Sequence, residues 1–342
     1  MVFEIQLVVS DCRRQEENKK LAIGNRESAI AYIFPGQGSQ YAGMGKDLAE
    51  KFPAARRVFE EADAALGFAI SDLCFNGPAE QLQLTENTQP AILCVSIAAL
   101  QALLSEGTVS PDYVLGHSLG EYSALVAGGS LRFDDAVRVV RARGRYMQEA
   151  VPFGVGAMAA ILDMDLKEIE AACEEARQDE VCSPANINSP RQVVIAGHSS
   201  AIDRAITIVK KRGARRAVKL NVSAPFHCSL MMPAQRRLAA DLTELWFEDL
   251  PYPLVTNVDA ALVGPGTGSG LEARDSLVRQ VTQPVRWLES VEFLAAHGVQ
   301  SFVEIGPGKV LSGLVRQIDR SLRCVNIEDE SSLRPAQTML SA

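Results

Sequence analysis

Apolar and polar positions fall in repeating blocks along most of this chain: a short, wholly apolar run, a loop rich in glycine or proline, then a segment with apolar residues every third or fourth position. "AIAYIF" at 29–34 predicts a buried strand, "PGQGSQ" a tight loop, and the stretch up to residue 66 helices. Residues 88–106, "TQPAILCVSIAALQALLSE", predict an apolar helix just before a strand that ends at Gly116. "SFVEIGPGKVLSGLVRQI" repeats strand, Gly-Pro loop and helix, and "RCVNI" predicts a last strand. Strands alternating with helices imply a mostly parallel sheet covered on both faces, with active loops at the carboxyl ends of its strands.

Residues 155–223 keep a different rhythm. "GAMAAIL" predicts a strand, 165–178 a helix, "VCSPANI" and "RQVVIAG" two strands around Asn188-Ser189-Pro190, 200–212 a helix and "RAVKLNV" a strand. The order β-α-β-β-α-β is that of a ferredoxin-like unit, here inserted into the larger domain. Residues 1–28, a short apolar piece followed by a charged stretch, predict an N-terminal extension to which no function is attached.

The strand before Gly116 runs into Gly116-His117-Ser118-Leu119-Gly120 and then a helical pattern. This G-x-S-x-G form turns a strand sharply into a helix and holds the serine side chain out at the turn. Alone, it is equally a tight turn with a serine cap. A serine nucleophile needs a base, and the chain has four histidines. His117 adjoins the serine and diverges from it, His198 begins a helix, and His297 sits in a last helical turn before Gly298. His227, in "NVSAPFHCSLM", follows the final strand of the inserted unit, where the chain re-enters the large domain, and is the best candidate. The order Ser then His suits α/β-hydrolase-like enzymes, but no aspartate between the two stands out as a third member. In the helix "DDAVRVVRARGRYMQEA", Ala136, Val140, Arg143 and Met147 share one face, so Arg143 interrupts an apolar stripe. A guanidinium there needs an anion, either an internal carboxylate or that of a substrate.

Composition narrows the class. The chain has 342 residues, 47% of them hydrophobic and 22% charged, which suits one elaborated domain or two. A formal charge of −8 argues against a general nucleic-acid binder, so an anionic ligand must meet local positive charge. Seven scattered cysteines without a C-x-x-C pair suit reduced thiols in a cytoplasmic protein better than disulfides or a zinc site. No apolar run is expected to approach the ~20 residues of a membrane span. The glycines of "PGQGSQ" and "GPGKV" lack the spacing of a phosphate-binding loop.

With Ser118, His227 and Arg143 assembled, the chain resembles the malonyl-CoA:acyl carrier protein transacylases of type II fatty acid synthesis and, more loosely, the acyltransferase domains of polyketide synthases. The resemblance runs from about residue 29 to about residue 328, on "FPGQGSQYAGMG", "TQPAI", "GHSLGEYSALVAGG", "RGRYMQEAVPFGVGAMAAI", "NINSPRQVVIAG", "SAPFHCSLM", "LVRQVTQPVRW" and "EIGPGKVLSGL". It implies that Ser118 is acylated, that His227 is its base and later acid, and that the backbone carbonyl of Gln280 orients His227 in place of an aspartate. It implies an oxyanion hole of the Gln37 and Leu119 backbone N–H groups. Arg143 would pair with the malonyl carboxylate, and Phe226, Asn186 and Asn188 would border the acyl pocket; for the two asparagines, a place in a turn before Ser189-Pro190 explains them equally well. A bulky Phe226 would disfavour an α-methyl branch, a group worth only ~1 to 3 kcal/mol.

The fold expected is therefore α/β: an α/β-hydrolase-like catalytic domain with a mostly parallel sheet at 29–154 and 224–342, and an inserted ferredoxin-like (βαββαβ) small domain at 155–223. The activity implied is ping-pong transfer of malonyl from malonyl-CoA to the phosphopantetheine thiol of acyl carrier protein, without cofactor, metal, nucleic acid or membrane. The basic run "VKKRGARRAVK" at 209–219 is either a docking patch for anionic partners or a solvated helix end. Rival readings are a serine hydrolase or thioesterase using the same pair, a non-catalytic carrier-docking subunit, and a stand-alone polyketide acyltransferase.

Overall fold

The computed structural model describes residues 28–107, 110–222 and 224–341. Apart from Ser28, the expected N-terminal extension lies outside the described residues. Among these residues ten strands form two sheets: β1 (Ala29–Phe34), β2 (Tyr113–Gly116), β3 (Gly156–Leu162), β4 (Cys182–Ser189), β5 (Gln192–His198), β6 (Arg216–Lys219), β7 (Leu254–Val255), β8 (Leu262–Val263), β9 (Val299–Ile305) and β10 (Arg323–Ile327).

The larger sheet runs β10-β9-β1-β2-β7-β8 and is parallel except for β8, which pairs back on β7. Its central strand explains the unbroken apolar run of "AIAYIF". Ile30, Tyr32 and Phe34 enter one core with the helix Thr85–Ser105. Ala29, Ala31 and Ile33 enter the opposite core with Trp287, Val291 and Leu311, so β1 has no solvent face. In the β1–β2 register Phe34 lies beside Gly116, which brings the loop after β1 and the turn after β2 out together. Here the carboxyl ends of the strands carry the site.

The helix Thr85–Ser105 corrects one expectation. At 21 residues it is long and apolar enough to cross a membrane by length and composition, and 83% of its apolar window is buried inside the protein. It packs between the helices Pro53–Leu66 and Phe133–Glu149 and the sheet, which is why it is apolar on all sides.

The smaller sheet, β4-β5-β3-β6, is antiparallel throughout, and its chain order is strand, helix, strand, strand, helix, strand. The helices Leu166–Arg177 and Ser199–Lys211 cover one face, around Ala159, Ile161, Val193 and Ile195. The alternate residues Met158, Val194 and Ala196 point the other way, into the main core. β4 continues through Asn188 to Ser189, with pairing irregularities on either side of Asn186, and the turn is Pro190-Arg191. Asn186 and Asn188 are thus strand residues, not turn residues. β6 stops at Lys219, short of the expected "RAVKLNV"; the Leu220 N–H still bonds the Met158 carbonyl, and Leu220 and Val222 line a cavity. Cys74, Cys94, Cys173, Cys182, Cys228 and Cys324 are all free and buried.

Candidate active site

The turn after β2 is built by two close approaches. A Cβ on Gly116 would collide with the backbone of Gly120, and one on Gly120 with the carbonyl of Phe34, so both positions need glycine. Between them Ser118 takes a left-handed φ of 51°, and the helix Gly120–Ala127 starts directly afterwards. Asn257, just past β7, fastens this conformation: its Oδ1 accepts the Ser118 N–H at 2.7 Å and its Nδ2 donates to the Gly116 carbonyl at 2.6 Å.

Ser118 Oγ lies 2.8 Å from His227 Nε2, and His227 Nδ1 lies 2.8 Å from the Gln280 carbonyl oxygen. A carbonyl can only accept, so Nδ1 carries the ring proton and Nε2 presents its lone pair to the serine hydroxyl. Burial, and then the charge of Arg143, push the His227 pKa down to about 3. The ring is therefore neutral, the state a base requires.

Arg143, on the helix Phe133–Glu149, is 1% exposed. It donates from Nη1 to Gln89 Oε1 (2.7 Å), and from Nη2 to Gln280 Oε1 (2.8 Å) and Ser118 Oγ (3.1 Å). Its Nε makes no hydrogen bond, the guanidinium lies 5.5 Å from the centroid of the Tyr122 ring, and among the described residues no carboxylate pairs with it within 4.0 Å. Two neutral amides hold a buried cation that has no direct carboxylate, an arrangement with unused capacity for an anion.

These groups open on a cavity of about 250 Å³. Gln37 and Leu119 line it, and among the described residues neither backbone N–H donates to a protein acceptor. Phe226, Asn186 and Asn188 line it as well, with Met158, Val194 and Leu220 from the smaller sheet and its exit. Asn188 Oδ1 is 2.9 Å from His117 Nε2, and the His117 ring packs against Trp287. The other histidines are elsewhere: His198 Nδ1 accepts from Val181 N–H, and His297 Nδ1 bonds the Phe293 carbonyl.

Sequence reasoning missed the layer beneath. Glu121 is fully buried and takes three donors: Asn257 N–H (2.9 Å), Ser276 Oγ (2.9 Å) and Gln280 Nε2 (3.0 Å). Burial raises its pKa, against the pull of those bonds and of Arg143. The Gln280 side chain, unlike its carbonyl, had no signal in the sequence; Glu121 had one, as a charge in an otherwise apolar helix, "GEYSALVA". In the basic run 209–219, Arg212, Arg215 and Lys219 are paired with Glu175, Asp163 and Asp203. Among the described residues no cluster of His, Cys, Asp or Glu could hold a metal ion.

The chain matches the acyl transferase domain family over residues 31–335. It is 48% identical over 307 residues to a malonyl CoA-acyl carrier protein transacylase of Escherichia coli, covering 90% of this chain and 98% of that one. Among solved structures it is similar to the malonyl CoA-acyl carrier protein transacylase of Coxiella burnetii, with a TM-score of 0.89 at 40% identity, over 92% of this chain and 98% of that one. It is also similar to a malonyl-transacylase in complex with a type II polyketide synthase acyl-carrier protein, with a TM-score of 0.88 at 45% identity, over 91% of this chain and all of that one.

Proposed function

The chain belongs to the acyl transferase domain family, and from that premise we propose that it moves a malonyl group from malonyl-CoA to the phosphopantetheine thiol of an acyl carrier protein through an ester on Ser118. The observation that carries this reading is the convergence on one hydroxyl oxygen of a neutral histidine and of an arginine with no direct carboxylate partner.

His227 Nε2 takes the Ser118 proton as Oγ attacks the thioester carbon, and the oxyanion meets the Gln37 and Leu119 N–H groups. Collapse breaks the C–S bond, and the proton on His227 passes to the departing CoA sulfur. In the second half the carrier thiol gives its proton to His227, sulfur attacks the ester, and Ser118 leaves with that proton. The Gln280 carbonyl holds the histidine tautomer throughout, without the full negative charge an aspartate would add. Arg143 binds the malonyl carboxylate, and an acetyl group would leave its buried charge unpaired. Phe226, Asn186 and Asn188 shape the wall against the acyl group.

In the same reading the larger sheet is an α/β-hydrolase-like catalytic domain, residues 29–154 and 224–342, carrying a ferredoxin-like insert at 155–223, and the protein works in the cytoplasm supplying fatty acid synthesis. The likeness to a transacylase bound to a polyketide carrier favours, as a second reading, the same chemistry with a polyketide client.

Intact-protein mass after brief mixing with malonyl-CoA tests the proposal. Wild type should gain a malonyl adduct that Ser118→Ala lacks, and added holo carrier protein should remove it. Release of free malonate at the same rate with and without carrier would replace transfer by hydrolysis.

A further inference from the structure

Arg143 has no carboxylate at hydrogen-bonding distance, yet a negative group stands one amide away. Gln280 Oε1 accepts from Arg143 Nη2 at 2.8 Å, while Gln280 Nε2 donates to Glu121 Oε2 at 3.0 Å and to the Ser118 carbonyl at 3.1 Å. Glu121 Oε2 faces two groups that can only donate, the Asn257 N–H and the Gln280 amide, while Oε1 meets the Ser276 hydroxyl, which can donate to it or, with its proton on the Ala273 carbonyl 2.7 Å away, accept. Two N–H donors on one carboxylate oxygen and the charge of Arg143 beyond Gln280 favour the ionised form. The two buried charges are joined through a single neutral amide.

We propose that Glu121 is the counter-ion and positioning residue of the substrate clamp: through Gln280 it balances Arg143 while the site is empty, and through Gln280 and Asn257 it fixes the nucleophile turn. The inference rests on the reading of Arg143 as the malonyl-carboxylate group. Direct pairing would occupy the guanidinium edge that a substrate carboxylate needs. Interposing an amide sets a neutral acceptor on Nη2 in place of a full negative charge and still spares the protein an unbalanced buried cation. Glu121 also holds the backbone of Asn257, whose side chain holds Ser118 N–H, so one carboxylate sets both the clamp and the turn.

Glu121→Gln separates charge from geometry. The glutamine oxygen can accept from Asn257 N–H and Gln280, and its NH2 can donate to Ser276 Oγ, whose own proton then goes to the Ala273 carbonyl, 2.7 Å away. Every bond survives and only the negative charge is lost. With that charge gone, Arg143 attracts a substrate carboxylate more strongly, so the preference for malonyl-CoA over acetyl-CoA in acylating Ser118 should rise about tenfold, through a lower KM for malonyl-CoA. A merely structural role predicts no change or a loss. Glu121→Ala removes bonds and charge together and should slow acylation by both donors, and Glu121→Asp should restore the wild-type preference. Gln280→Leu, which keeps the carbonyl that holds His227 but breaks the amide link and frees an Arg143 Nη2 proton, should raise the malonyl preference even if the Glu121 variants fail to fold.

Wild type and Arg143→Ala run alongside. If wild type gains no malonyl adduct, or Arg143→Ala keeps the malonyl preference, the reading of the site itself fails. If those two behave as expected but Glu121→Gln matches wild type or loses preference as Arg143→Ala does, the counter-ion role is overturned; an unchanged or lowered preference in Gln280→Leu overturns it as well.

Discussion

Replacing Asn257 by alanine tests the construction of the nucleophile turn. Ser118 is held at a φ of 51°, a left-handed conformation that costs a non-glycine residue roughly 1–2 kcal/mol. Two bonds from the Asn257 side chain, at 2.7 Å to Ser118 N–H and 2.6 Å to the Gly116 carbonyl, oppose relaxation. Asn257 is 2% exposed, so its removal strands one buried donor and one buried acceptor, at about 1–3 kcal/mol each. The sum is about 2–6 kcal/mol, and a water entering the vacated space would hold it to the lower half of that range. The midpoint of urea unfolding should fall accordingly at unchanged slope. Relaxation of the turn carries Ser118 Oγ off His227, and since a shift of ~1 Å costs up to about 10²-fold, the acylation burst should slow by that order. Asn257→Asp keeps the acceptor for Ser118 N–H but sets a carboxylate against the Gly116 carbonyl, so it should be as unstable as the alanine variant while retaining more of the burst. An alanine variant within ~0.5 kcal/mol of wild type and with a wild-type burst would refute the reasoning.

The pKa of His227, near 3 in the folded protein against about 6.5 unfolded, sets a pH dependence. Between those values the unfolded chain binds a proton that the native one does not, so stability present above about pH 6.5 is lost as pH falls toward 3. His227→Gln should lack that slope in urea midpoints taken from pH 8 to pH 4, and parallel curves for the two proteins would contradict the assignment. Gly144→Ala sets a Cβ within 2.5 Å of the Thr85 carbonyl and 2.7 Å of Glu86 Cα, both backbone, so it should cost about 1–3 kcal/mol in a melt and, by shifting Arg143, raise the KM for malonyl-CoA. Buried Glu304 accepts the N–H groups of Leu311 (3.0 Å) and Ser312 (2.7 Å) at the start of the helix Val310–Ile318; Glu304→Ala should lower stability by about 2–6 kcal/mol in the same assay, the loss of two buried bonds.

How much of this was legible in the chain follows from the range of each signal. β1, β3 and β5 announce themselves as apolar runs between turn residues, and the helix carrying Arg143 by its 3.6-residue stripe. β7 and β8, two residues each, are too short for any periodicity, so the support that Asn257 gives from just past β7 was invisible. Asn186 and Asn188 were open to a turn reading because Ser189-Pro190 follows them, yet the strand runs on to Ser189 and the proline takes the turn instead. The Gln280 side chain, Glu121, Asn257 and Ser276 meet across separations of more than a hundred residues for most of their bonds. No local pattern encodes such a meeting; only the packing of three elements around the turn does.

Part of the wall comes from a stretch of chain that carries none of the reacting groups. Ser118, His227, Arg143, Gln280, Asn257 and Glu121 all lie outside 156–219, whereas Met158, Asn186, Asn188 and Val194 lie within it. Gly156 and Pro225 mark where that stretch departs and returns, packed so closely that a Cβ on Gly156 would run into the proline ring. The stretch is seated a second time along β4, where Ala185 and Ile187 bond Val285 and Ser189 bonds Gln317. Divergence, or a designer, can recast part of what the wall admits by rewriting the cavity-facing positions of one contiguous stretch, with the glycine and proline and the β4 seat kept.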